Sequence, residues 1–126
     1  MLSCDEELFR RVPEYPQMWR NRDTLKISTA AFKDSMGCSV DKGGGRSTET
    51  VITSFRERFP ENTAAVAMVT VKTCNEIAAV VLEKPVPDNI YHCEIHRSNE
   101  KAQLTNGQLK KLVDSAIVYN IHSTVH

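Results

Sequence analysis

Two histidines flank a glutamate at alternate positions in the stretch Tyr91-His92-Cys93-Glu94-Ile95-His96, and these are the residues whose types and spacing come nearest to chemistry. On an extended strand alternate side chains share a face. His92, Glu94 and His96 should therefore point one way, and Tyr91, Cys93 and Ile95 the other, into the core. Two imidazoles and a carboxylate can move protons, or can hold a divalent metal. The spacing is weakly specific, because a half-exposed strand needs polar side chains on its wet face. That plainer reading is preferred over a metal site: no bound metal and no cofactor are expected. His92, Glu94 and His96 stand as the catalytic candidates.

A second candidate is the run Ser39-Val40-Asp41-Lys42-Gly43-Gly44-Gly45-Arg46-Ser47-Thr48. A glycine-rich loop entering a helix N-terminus offers free backbone amides beside a positive dipole, which suits an anion. Ser39, Asp41, Gly43, Gly44, Gly45 and Arg46 are the ligand-binding candidates, and Lys42 would add charge. The loop lacks the spacing of a Walker motif. Its plainer alternative is a surface loop marked by glycines, with Asp41 bonding loop amides in an Asx-type turn.

Three resemblances bear on function. His92-Cys93-Glu94 resembles the His-x-Glu of zinc deaminases, but the Pro-Cys-x-x-Cys that supplies their other ligands does not follow Glu94, so that reading fails. Arg10 or Arg11, then Ser28-Thr29, then Glu94 loosely resemble the residue set of ADP-ribosyltransferases. That resemblance would give the arginine and serine a nicotinamide cofactor to hold, and the glutamate a nucleophile to orient. Finally, LFRRVPEYPQMW, STAAFKDSMGCSVD and YHCEIH together resemble a family of small bacterial proteins. Members share an Arg-rich start, a Ser-x-Ala-Phe-Lys-Asp-type segment, Ser-Val-Asp and a late His-x-Glu strand. The resemblance implies no activity; it draws attention to Phe32, Lys33, Asp34, Ser39, Val40, Asp41, His92 and Glu94.

These residues must be positioned by a chain of 126 residues, the usual size of one domain. Apolar residues are 40% and charged residues 25%, which is globular rather than disordered composition. Sixteen basic side chains balance sixteen acidic ones, so the dedicated nucleic-acid binder with its basic excess is disfavoured. MLSCDEELFRR lacks the apolar run of a signal peptide, and AAVAMV is too short to cross a bilayer, so a cytoplasmic protein is expected. Cys4, Cys38, Cys74 and Cys93 form no C-x-x-C pair and read as free thiols.

DEELFRRV reads as a short helix stopped by Pro13, opening an irregular or helical segment over 1–24. LKISTAAF alternates as a strand, and KDSMGCSVDKGGGRS reads as the main loop region. STETVITSFRERF is a helix capped by Ser47 or Thr48, with Val51, Ile52, Phe55 and Phe59 on one face. TAAVAMVTV suits a strand covered on both faces, TCNEIA a helical turn, and AVVLEKP and NIYHCEIH two further strands. In LTNGQLKKLVDSAIVYN a Thr105/Gln108 capping box opens a helix with a Leu109-Leu112-Val113-Ala116-Ile117 stripe, and 120–126 is expected to fray.

The expected fold is α+β: a single-domain mixed sheet of about four to five strands against two main helices. The expected function is a binding or accessory module for a small anionic ligand or a protein partner. The alternative is a group-transfer or hydrolytic enzyme directed at a nucleotide or nucleic acid, using Glu94 or His92 and Arg46. In either case the site is expected where the glycine loop approaches the His92–His96 strand.

Overall fold

An antiparallel sheet of six strands organises the molecule, a computed structural model that describes residues 2–121. In chain order the strands are β1 (Glu7–Val12), the ribbon β2 (Trp19–Asn21) and β3 (Lys26–Ile27), β4 (Cys38–Lys42), β5 (Ala65–Thr70), β6 (Val80–Glu83), β7 (His92–His96) and β8 (Ile117–Asn120). The sheet runs β6-β7-β4-β1-β5-β8, and β2 pairs only with β3. The helices are α1 (Thr48–Arg58), α2 (Val71–Glu76) and α3 (Asn106–Ser115). The class is therefore α+β, with a larger sheet than expected and every pairing antiparallel.

The sheet is covered on both faces. Leu8, Val12, Ala67, Val69, Cys93 and Ile95 join Phe32, Cys74, Leu109 and Leu112 in one apolar cluster, beneath α2, α3 and the 3-10 turn Thr29–Phe32. On the other face Phe9, Val66 and Met68 pack against Val51 and Phe55 of α1. Burying each of those two α1 side chains contributes roughly 1.5–3 kcal/mol, which fixes the helix over β1 and β5. The β4-β7-β6 half of that face carries Ser39, Asp41, His92, Glu94 and His96 by the strand registers.

Both main helices begin where their caps require. Ser47 Oγ accepts from the Thr50 amide at 3.1 Å. Thr105 Oγ1 accepts from the Gln108 amide at 3.0 Å while Gln108 Oε1 accepts from the Thr105 amide at 2.9 Å, a complete capping box. β5 is buried from Ala65 to Val69, between β1 and β8, as its unbroken apolar run requires.

Four local expectations are corrected. ELFRRV is not a helix but an interior strand, because Leu8, Phe9 and Val12 are wholly buried on alternating faces. LKISTAAF is a strand only at Lys26–Ile27, after which Thr29–Phe32 turns to bury Ala31 and Phe32. CSVDK lies inside the expected loop yet forms β4, paired on both sides. The last helix stops at Ser115, and Ile117–Asn120 adds β8 to the edge of the sheet beside β5. Asn120 thus belongs to a strand, and residues 122–126 of the expected tail lie outside the described residues.

Candidate functional site

β7 projects Cys93 and Ile95, both fully buried, into the larger core, so the alternate residues His92, Glu94 and His96 face the other way. They are not a freely solvated row. Their side chains expose only 23, 17 and 14%, respectively. Glu94 Oε1 lies 2.7 Å from His96 Nε2, and Oε2 lies 3.5 Å from His92 Nε2. Lys84 Nζ comes within 3.3 Å of Oε1. Burial pushes the Glu94 carboxyl up, but His96, Lys84 and His92 together outweigh it and hold it below its ordinary value. Gly37 completes the enclosure: with φ +107, a Cβ there would lie 2.5 Å from His96 Nε2. Glu94 is thus a fixed carboxylate between two imidazoles. Among the described residues no three His, Cys, Asp or Glu side chains are placed to share a metal ion.

The glycine loop does approach β7, since β4 pairs directly with it, Ser39 opposite Glu94 and Asp41 opposite His92. The loop's polar groups, however, are largely used within the fold. The Gly43 amide donates to the Glu7 carbonyl at 2.9 Å, and the Gly44 amide to Glu6 Oε2 at 3.1 Å. Arg46 donates through Nε to the Gly43 carbonyl and through Nη2 to the Lys42 carbonyl, each at 2.9 Å. Its guanidinium lies 3.4 Å from the Tyr91 ring centroid. Gly44, at φ +61, is needed there because a Cβ would stand 2.7 Å from the Tyr91 ring. The arrangement closes the loop onto the start of β7.

Asp41 points elsewhere. It is the one buried charged residue among the described residues, 3% exposed. Its Oδ2 accepts from Arg58 Nη2, and its Oδ1 from Asn89 Nδ2 at 3.0 Å. This pair stands at the edge of a cleft of about 480 Å³, where β1 and β4 part. The two strands pair at Leu8–Lys42 and Phe9–Asp41 only. Beyond Phe9, Arg10 bridges the gap, donating through Nη1 to the Ser39 carbonyl and through Nε to the Ala31 carbonyl, each at 2.9 Å. Arg11 donates to the Asn62 carbonyl at 2.7 Å and stacks over Phe59 at 4.3 Å.

The cleft gathers Arg10, Arg11, Lys33 and Arg58 against Asp34 and Asp41, with His92 also on its wall. Carbonyl partners orient a guanidinium without neutralising it, and each arginine has five N–H donors. Burial first, and then Arg10 and Arg58 nearby, lower the Arg11 pKa.

No protein family, curated protein or solved structure matches the chain. The resemblances drawn from sequence segments rest on those segments alone. Of the ADP-ribosyltransferase-like set, Arg10 reaches the turn at Ala31, beyond Ser28 and Thr29, while Glu94 is engaged by His96 and Lys84 on β7. Of the ligand-binding candidates, Ser39 and Asp41 line the cleft; Gly43, Gly44 and Arg46 are bonded within the loop and to its neighbours. A Cβ at Gly45 would meet nothing within 4 Å.

Sequence reasoning did not single out Arg58, Lys84 or Asn89. Arg58 reads as one more charged residue at a helix end, and its buried partner lies 17 residues away. The available signal was in LFRRV: two arginines inside an interior strand require compensating partners, and would have pointed to the cleft once the strand was recognised.

Proposed function

We propose that this chain is a cytoplasmic binding module, related in kind to small bacterial proteins, that recognises a small anionic ligand in the cleft between β1 and β4. One observation carries the reading: four cationic side chains and two carboxylates line a single cleft of ligand size. Arg10 and Arg11 are held in place by backbone carbonyls, so little ordering is needed for them to meet an anion. The intracellular setting is supported by the free thiols of buried Cys38, Cys74 and Cys93. Among the described residues no helix is long and apolar enough to cross a membrane.

Calorimetric titration with inorganic phosphate and pyrophosphate tests this reading. The wild-type chain should bind with an affinity that falls as salt rises, and Arg11→Gln should weaken binding by roughly tenfold or more. The exposed Lys33→Gln offers the same test at a site with less structural involvement. Unchanged binding in both variants would remove the cleft from consideration.

A second reading, nucleotide-directed catalysis, is favoured by one feature: His92 lines the same cleft and has Glu94 beside it. The depressed Glu94 carboxyl is suited to orienting an imidazole, leaving His92 as the acid–base group. Turnover of a nucleotide that disappears in His92→Gln, with phosphate binding retained, would establish it.

A further inference from the structure

Among the described residues the only exposed aromatic side chains are Tyr15 at 50% and Phe59 at 39%, and both line the cationic cleft. Single exposed apolar residues need no explanation. Two aromatics on the wall of one charged cleft form a different pattern: Phe59 seats the Arg11 guanidinium on its ring, and Tyr15 offers its own ring beside it. Arg11 links the two chemistries, because its guanidinium stacks on Phe59. Pro13 and Met18 extend the apolar lining, while Ser39 and His92 offer hydrogen-bonding groups from β4 and β7.

From this combination we infer that the cleft takes a mononucleotide: phosphate to the arginines, ribose hydroxyls to Ser39 and His92, and the base against Tyr15. The inference rests on the anion-binding reading and goes further by naming the ligand class. Inorganic phosphate would leave the aromatic wall unused, and a neutral nucleoside would leave the cationic groups unanswered. A base stacked on an aromatic side chain strengthens binding by a factor of roughly five to one hundred and fifty.

The test is a titration series with adenosine 5′-monophosphate, ribose 5-phosphate, inorganic phosphate and adenosine, on the wild-type chain and on Tyr15→Ala and Tyr15→Phe. Tyr15 is exposed and its substitution leaves the core intact, which thermal unfolding of each variant verifies. The nucleotide should bind at least roughly tenfold more tightly than ribose 5-phosphate. Tyr15→Ala should reduce that margin without weakening phosphate, and Tyr15→Phe should keep it. Equal affinity for the nucleotide and ribose 5-phosphate would overturn the base-stacking inference and leave the anion site standing. No affinity for any phosphate compound, or adenosine binding as tightly as its monophosphate, would overturn both.

Discussion

Replacing Asp41 by asparagine should move stability and anion affinity in opposite directions. The Asp41 side chain is 5% exposed, whereas that of its partner Arg58 is 30% exposed. Removing one member of a fully buried pair costs about 3–5 kcal/mol, but the exposed Arg58 recovers water, which reduces the loss to about 2 kcal/mol. Asparagine keeps the volume and an oxygen acceptor for Asn89, so no cavity contributes. For a domain of this length the melting temperature should fall by roughly 5–10 °C. Meanwhile a carboxylate has left the wall of the cleft. Acting on an anion about 8 Å away, at an effective dielectric near 20 and with physiological screening, that charge is worth about 1 kcal/mol, or roughly fivefold in affinity. Urea unfolding and phosphate titration of the same preparation measure both effects. Stability within about 0.5 kcal/mol of wild type would refute the structural role of the pair. Phosphate affinity that falls with stability would refute the electrostatic account of the cleft. A double-mutant cycle with Arg58→Gln separates their coupling from the individual losses.

Gly37→Ala should destabilise by about 2–3 kcal/mol, because it combines a left-handed backbone with a Cβ driven into His96; urea unfolding measures it. The Glu94 carboxyl has its pKa lowered in the folded state, so its contribution is present above the ordinary value of 4.5 and is lost as pH falls through the folded-state pKa. The stability gap between wild type and Glu94→Gln should therefore narrow on acidification below that value, as urea unfolding at a series of pH values will show. Burial pushes the Cys38 and Cys93 thiols up to about 11 and Cys74 up to about 12. A thiol reagent should therefore label only the exposed Cys4 in the native protein at neutral pH, with the other three reacting on unfolding.

The helices were the most legible part of the fold because their signals are local. Ser47 and Thr105 bond amides three residues away, and the apolar spacing within each helix follows one face. β5 and β7 were legible for the same kind of reason, through an apolar run and a clean alternation. β1 was misread because acidic residues followed by arginines suit a helix as well as a strand, and what decides the matter is pairing with β5 more than fifty residues away. β4 escaped notice between Gly37 and Gly43, since five residues with two apolar positions give little periodicity. The end of α3 was obscured because Ala116 and Ile117 continue the helical stripe although the backbone has already turned extended.

The site was legible by face but not by partner. Alternation placed His92, Glu94 and His96 together, and strand pairing added Ser39 and Asp41. The cleft depends on Arg10, Arg11 and Arg58 reaching Ser39, Asn62 and Asp41 through contacts far apart in the chain. The Gly-rich loop resembled an anion site because free amides are what its composition offers. Glu6 and Glu7 supply acceptors that composition cannot reveal.

The brief pairing of β1 with β4 has a mechanical consequence. The sheet consists of two three-stranded leaves, β6-β7-β4 and β1-β5-β8, joined along a short seam at Leu8–Lys42 and Phe9–Asp41 and held further along by the side chain of Arg10. Such a seam resists shear less than a full ladder would, so relative movement of the leaves concentrates there. The cleft lies along that line of weakness. An occupant touching both Arg11 and Ser39 would act as a clasp across the leaves, carrying load where the backbone has no further rung.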